Sequence, residues 1–276
     1  MPKIPGETDP KLGDAAARTY AIGDVHGRLD LVRRAIETIN DHVGDAPFRV
    51  VFLGDYVDRG PDSRGVIEYL MELQSEWPLV CLKGNHEELM LQAVTSHRGG
   101  SLRRWLEYGG VQTLASYGLS VDDDLAAAIP AEHLRWLASL PRSTGDRHRV
   151  YVHAGLMPRT PFHQQSEQTF LWIRERFLTA RPKDFDVHVV HGHTPTWEGK
   201  PEPSEPELLE HRTNIDTGAF ATGVLTVAVF DAERPGGPVE LLTVRGPALG
   251  AFIEDPDDRP SLLGGMFRRR PGLAPS

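Results

Sequence analysis

Five times along this sequence a short apolar run breaks off at a polar tip flanked by glycine, and that pattern admits few folds. Val50-Val51-Phe52-Leu53 reads as a buried strand and ends in Gly54-Asp55-Tyr56-Val57-Asp58-Arg59-Gly60. Arg18 to Ile22 leads into Gly23-Asp24-Val25-His26-Gly27, and Leu79 to Leu82 into Lys83-Gly84-Asn85-His86-Glu87. Arg149 to Val152 is tipped by His153-Ala154-Gly155, and Val187 to Val190 by His191-Gly192-His193-Thr194-Pro195. Helical periods follow the first three tips. They are Leu31, Val32, Ala35, Ile36 and Ile39, with Asp30 as an expected cap; Val66, Ile67, Leu70 and Met71; and Leu89, Met90, Ala93 and Val94. The order β-α-β-α-β-α predicts an α/β fold with a largely parallel sheet covered by helices. In such sheets ligands bind at the carboxyl ends of the strands.

The middle of the chain, about residues 97–144, changes character. Trp105, Trp136, the turn pair Gly109-Gly110 and an alanine-rich stretch closed by Pro130 predict a helical insertion or lid. Asp122-Asp123-Asp124 within it reads as a solvated loop rather than a metal site. Thr213 to Gly218, Val224 to Phe230 and Val239 to Val244 read as strands parted by turns, a hairpin-like second sheet packed on the first. A single domain is therefore expected over residues 18–250, with flexible tails at 1–17 and 254–276. Arg268-Arg269-Arg270 reads as part of a solubilising tail.

A formal charge of -9 argues against nucleic acid or an anionic membrane surface as partner. No run approaches the ~18 apolar residues that span a bilayer, and Met1 to Ala17 lacks the apolar centre of a signal peptide, so the cytoplasm is the expected location. The single cysteine, Cys81, allows no internal disulfide, fits a reducing compartment and reads as core.

The tips collect Asp24, His26, Asp55, Asn85, His86, His153, His191 and His193. Carboxylates, imidazoles and an amide oxygen, with no thiolate, suit manganese, iron or zinc better than calcium or a structural zinc site. The set exceeds what one ion needs, which suggests two ions bridged by Asp55. Two dications about 3.5–4 Å apart can activate water and clamp a displacement at phosphorus. Arg59 and a second arginine can hold the phosphoryl oxygens. His86 is the expected general acid, with Asp58 on its other ring nitrogen. A lone histidine is more often a satisfied structural residue, and that reading holds for His42, His97, His133, His148, His163, His188 and His211.

In order, Gly23-Asp24-Val25-His26-Gly27, Gly54-Asp55-Tyr56-Val57-Asp58-Arg59-Gly60, Gly84-Asn85-His86-Glu87, His153-Ala154-Gly155 and Gly192-His193-Thr194 resemble the signature blocks of calcineurin-like metallophosphoesterases. The likeness is nearest to the phosphoprotein phosphatase branch, in particular its bacterial and phage members, and continues more weakly through Asp216-Thr217-Gly218. The resemblance implies a four-layer α/β/β/α sandwich with a dinuclear centre. It assigns Asp24, His26 and Asp55 to one metal and Asp55, Asn85, His153 and His193 to the other. It also implies His86 with Asp58 as the acid pair and Arg59 as a phosphate clamp. In Trp172-Ile173-Arg174-Glu175-Arg176 it points to Arg174 as the second clamp, with Arg176 the rival. His191 has no counterpart in that ligand set. Pro195 stands where nucleases and diesterases of the wider family carry a second histidine, which places the chain nearer the phosphatases.

The resemblance implies hydrolysis of phosphoserine and phosphothreonine in proteins by attack of a metal-bridging hydroxide. The substrate partner would be a phosphorylated protein or a phosphorylated small molecule. Symmetrical hydrolysis of dinucleoside tetraphosphates is the alternative, and would call on stacking aromatics such as Trp105, Trp172 or Trp197, each more simply read as packing. A third reading, in another class, is a non-catalytic protein that binds phosphorylated ligands.

Overall fold

The computed structural model of the chain describes residues 16–96, 99–196 and 204–249. Its strands are β1 (Arg18–Ile22), β2 (Phe48–Phe52), β3 (Leu79–Cys81), β4 (Ser143–Gly145), β5 (Arg149–Val152), β6 (His188–His191), β7 (Glu207–Leu208), β8 (Arg212–Asn214), β9 (Val224–Asp231) and β10 (Glu240–Arg245). They form two five-stranded sheets, ordered β10-β9-β1-β2-β3 and β4-β5-β6-β8-β7. Within each sheet a parallel core, β1-β2-β3 or β5-β6-β8, carries the predicted tips.

Period-two alternation on these strands builds three cores. Tyr20, Ile22, Val50, Phe52, Leu79 and Cys81 face outward into a large core with the helices. Their neighbours Ala21, Val51, Val80 and the flanking Leu53 and Leu82 face Tyr151, Val190 and Ile215 of the other sheet. On that sheet's far side Val150, Val152 and Val189 pack on Leu156, Phe170 and Phe177. Helix, sheet, sheet and helix are thus four layers, as the family resemblance implied, because both faces of each sheet are apolar.

The first helices are α1 (Leu29–Val43), α2 (Ser63–Glu76) and α3 (Asn85–Thr95), followed by α4 (Gly99–Trp105), α5 (Val111–Tyr117), α6 (Leu125–Ala128) and α7 (Ala131–Ser139). α8 (Glu167–Trp172) and α9 (Glu175–Leu178) cover the second sheet, and α10 (Ala219–Thr222) precedes β9. Asp62 caps α2, accepting the backbone N–H of Gly65 at 2.8 Å. Asp30 caps nothing. Its carboxylate is held by the fork of buried Arg28, at 2.8 Å from both Nε and Nη2.

The last hairpin departs from expectation. β9 pairs antiparallel with β1, and β10 with β9, so the hairpin completes the first sheet instead of the second. The reason lies in β9 itself. Leu225, Val227 and Val229 face the helices while Ala228 and Phe230 face the opposite sheet, so β9 is apolar on both faces, and its place beside β1 keeps both covered. The more exposed β10 takes the edge.

Trp105, Tyr108, Leu114, Leu125, Ile129, Leu137 and Leu140 of the expected insertion belong to the same core as β1 and β2. Asp124 caps α6 and Asp123 accepts from the N–H and hydroxyl of Ser120, so these acids serve turns. Among the described residues no helix is long and apolar enough to cross a membrane. The expected tails, apart from residues 16 and 17, lie outside the described residues, as do His97 and Trp197.

Candidate metal centre and active site

The tips of both sheets meet in one buried cluster, and the chain bends hard to bring them there. Among the described residues seven non-glycine positions have positive φ, and five of them are His26 (44°), Asp55 (54°), Asp58 (73°), Arg59 (66°) and His193 (68°). Such left-handed backbone is costly for residues with a Cβ and collects at functional sites. Glycine admits the close approaches. A Cβ on Gly84 would lie 2.1 Å from Oδ1 of Asp55, and one on Gly192 2.0 Å from Oδ1 of Asp24.

Two groups of donor atoms, each within 4.8 Å, share Asp55: His26, Asp55 and His86 in one, Asp55, His153 and His193 in the other. Asn85 joins the second group, its Oδ1 lying 2.8 Å from Nε2 of His153 and 2.9 Å from Nδ1 of His193. Oδ1 of Asp55 is 3.4 Å from Nε2 of His153, and its Oδ2 is 3.5 Å from Nε2 of His26. Asp24, expected beside His26, falls outside the tight groups. Its Oδ2 accepts the backbone N–H of His193 at 3.0 Å.

Backbone carbonyls set the tautomers. Nδ1 of His26 donates to the Val57 carbonyl at 2.8 Å, and Nδ1 of His153 to that of Leu53 at 3.0 Å, leaving each Nε2 as a lone pair aimed inward. Burial, followed by the charge of Arg59, holds His26 well below the usual imidazole range. Burial takes His153 to about 4. Burial and the nearby Arg174 lower His193 as well. Neutral imidazoles are what a metal requires.

The cluster fits a cation on its own chemistry. The lone pair of His153 faces the Asn85 oxygen and the Asp55 carboxylate, an acceptor-to-acceptor contact that a positive ion between them relieves. Oδ1 of Asp24 and Nε2 of His193 are buried with no hydrogen-bond partner among the described residues. Burial, then Asp216 and Asp55, raise the Asp24 carboxyl well above its ordinary value, the mark of crowded carboxylates lacking a counter-ion.

His86 stands beside this centre with Asp58 behind it. Nδ1 of His86 is 2.7 Å from Oδ2 of Asp58, and its Nε2 is 3.8 Å from Oδ2 of Asp55. Burial, ahead of the charges of Arg59 and the neighbouring imidazoles, pushes His86 down. Burial pushes Asp58 up, against hydrogen bonds from Thr113 and Trp105. With Nδ1 of His86 turned to Asp58, Nε2 is the ring nitrogen that faces the centre.

Arg59 reaches the same nitrogen of His26, its Nη1 donating to Nε2 at 3.1 Å and its guanidinium lying 5.1 Å above the Phe220 ring. The charge of Arg174 bears on His153, His193 and Asp216, whereas Arg176 is exposed on α9. His191 turns away, its ring 4.8 Å from that of Phe177 in the outer core.

Four supporting residues were given no role by the sequence reading. Trp105 Nε1 donates to both oxygens of Asp58 at 2.9 and 3.1 Å, and Thr113 Oγ1 to Oδ1 at 2.7 Å. Trp105 is therefore a fully buried hydrogen-bonding anchor and offers no stacking face. Glu87 sits under Asp55, accepting the N–H groups of Asp55, Tyr56 and Gly84 at 2.9, 2.7 and 2.8 Å, and burial raises it to about 7. Asp216 lies against Asp24 and is raised to about 6 by burial. Its tip, Ile215-Asp216-Thr217-Gly218, repeats the apolar-acid-glycine signal of the others.

The family model described as calcineurin-like phosphoesterase matches residues 17–221. Serine/threonine-protein phosphatase 1 of Salmonella typhimurium is 30% identical over 223 residues, covering 76% of this chain and 90% of that protein. The asymmetrical bis(5'-nucleosyl)-tetraphosphatase PrpE of Oceanobacillus iheyensis is 24% identical over 235 residues, covering 77% and 88%. The crystal structure of a candidate diadenosine tetraphosphatase superposes with a TM-score of 0.56 at 22% identity, covering 84% of this chain and 95% of that one, a likeness of fold.

Proposed function

The chain belongs to the calcineurin-like phosphoesterase family, and from that premise we propose that it is a protein phosphatase that removes phosphate from phosphoserine and phosphothreonine. Asp24, His26 and Asp55 would hold one divalent ion and Asp55, Asn85, His153 and His193 a second, with manganese the first choice and iron or zinc the alternatives. When bound, such ions supply the activated water and the positive charge that displacement at phosphorus needs. Arg59 and Arg174 hold the phosphoryl oxygens, a task suited to the guanidinium fork. His86 delivers its Nε2 proton to the departing oxygen while Asp58 fixes the ring. The reading places the working domain at residues 18–250, in the cytoplasm.

The observation that carries this reading is the buried His86–Asp58 pair, 2.7 Å apart and aimed at the carboxylate common to both donor groups. A serine or threonine alkoxide leaves poorly without a proton, so a positioned acid is worth most on such a substrate. A nucleoside polyphosphate leaves readily without one. The Salmonella relative, 90% covered, supports the same choice.

Symmetrical hydrolysis of dinucleoside tetraphosphate is the second reading; the Oceanobacillus relative, covered to 88%, supports that substrate, though its name carries the asymmetrical cleavage. Purified protein supplied with manganese would be assayed in parallel on a phosphothreonine peptide and on diadenosine tetraphosphate. A higher kcat/KM on the peptide is expected. A preference for the dinucleotide overturns the assignment in favour of the second reading, and two bound metals without turnover of either would favour a phospho-ligand binding protein.

A further inference from the structure

Arg104, at the end of α4, stands on the rim of the site with its charge unspent. It is exposed, and among the described residues it makes no ion pair, whereas its neighbour Arg103 pairs with Glu107 at 3.0 Å. Its guanidinium nevertheless has a defined seat, 4.9 Å from the ring centre of Trp172 and 5.8 Å from that of Tyr108. Both rings are themselves anchored. Trp172 meets His193 edge-on at 6.3 Å and donates its Nε1 hydrogen to Glu88 at 3.2 Å, and Tyr108 meets His86 at 5.8 Å. The two rings meet each other at a right angle, 5.9 Å apart. Arg104 is thus one aromatic ring removed from a candidate metal ligand on one side and from the candidate acid on the other. A cation held over indole keeps its N–H edge free for an anion, and stacking lowers the cost of fixing it there.

We infer that Arg104 is a specificity-determining residue that binds a second anionic group of the substrate, beyond the phosphate being cleaved. The inference rests on the phosphoester-hydrolase reading and refines its substrate class. The shared chemistry is a carboxylate or phosphate oxygen pair taken by the guanidinium fork. On a phosphopeptide it is the side chain of an acidic residue near the phosphorylated one; on a small molecule it is a further phosphate.

The test compares wild-type protein with Arg104→Met, which keeps cover over Trp172, and with Arg104→Lys, which keeps the charge and loses the fork. Two phosphothreonine peptides differing only in a neighbouring Glu or Gln are assayed with manganese. Binding of tripolyphosphate and of phosphate is measured directly by calorimetry. Wild-type protein is expected to favour the Glu peptide about 5- to 10-fold, the scale of one charge-assisted pair at a partly open site, mainly through KM. Arg104→Met should bring that ratio near unity, with Arg104→Lys between and the melting temperature unchanged. Loss of the tripolyphosphate preference alone would support the role and assign the anion to a polyphosphate. Both ratios intact in Arg104→Met would overturn it. If no peptide turns over in the wild type, the phosphatase reading fails by itself, and the calorimetric ratio still decides the role of Arg104.

Discussion

Trp105 Nε1 donates to both carboxylate oxygens of Asp58, at 2.9 and 3.1 Å, and so ties the middle helical segment to the proposed acid pair. The backbone N–H of Arg59 donates to the Gly109 carbonyl at 3.1 Å, a second tie from the same segment. A segment that holds Asp58 and Arg59 in place is part of the site's frame. Trp105→Phe keeps most of the buried area and removes the N–H. Partners that orient a working side chain from behind typically cost 10–100-fold when lost. A fall of about 10-fold in kcat with metal content unchanged is expected, measured on p-nitrophenyl phosphate alongside elemental analysis; wild-type kcat would show that Thr113 alone suffices.

His86 carries the proton in the proposed reaction and is not among the proposed metal ligands, so the two roles separate. His86→Asn should retain both metals and slow turnover of a phosphothreonine peptide by about 100-fold or more, the usual scale for a general acid. The loss should shrink on p-nitrophenyl phosphate, whose leaving group needs no proton. Equal losses on both substrates would assign His86 to binding.

Most of the site was legible because its residues announce themselves twice, by type and by place. Asp55, Asn85 and His153 each follow a run whose apolar alternation reads as a strand, and glycine beside them marks the turn. What was not legible depends on backbone reversal or on long-range packing. His191 and His193 share a face if the strand runs on, yet φ of 68° at His193 turns it inward while His191 stays against Phe177. Trp105 and Thr113 look like core residues because they are; only the fold brings them to Asp58. The second-sheet assignment of the last hairpin failed because strand pattern says which faces are covered and not which strand is the neighbour.

Gly84 offers a way to disturb the candidate metal centre without replacing any of its proposed ligands. A methyl group there would stand 2.1 Å from Oδ1 of Asp55, so Gly84→Ala must push that carboxylate or its loop aside. Loss of at least one metal equivalent is expected by elemental analysis after dialysis, with Asp55→Ala losing both. Full metal occupancy in Asp55→Ala would remove it from the bridging position.

His188 provides a pH test of stability away from the metal centre. Its Nε2 accepts from Thr213 Oγ1 at 2.8 Å, its Nδ1 donates to the Glu210 carbonyl at 3.1 Å, and burial lowers it to about 4. The unfolded chain takes up this proton near its ordinary value of about 6.5, while the folded chain resists until about 4. Stability from this group is therefore fully present above pH ~6.5, falls as pH drops through the window to about 4, and is flat below it. The shift corresponds to about 2–3 kcal/mol after allowance for partial solvation. In urea unfolding of metal-free protein, His188→Gln should lose that much less than wild type across the window, since its amide carries no titration and the other groups cancel in the difference. Parallel pH profiles for the two proteins would mean that His188 charges in the folded state at little cost, and that the contacts to Thr213 and Glu210 yield to the proton.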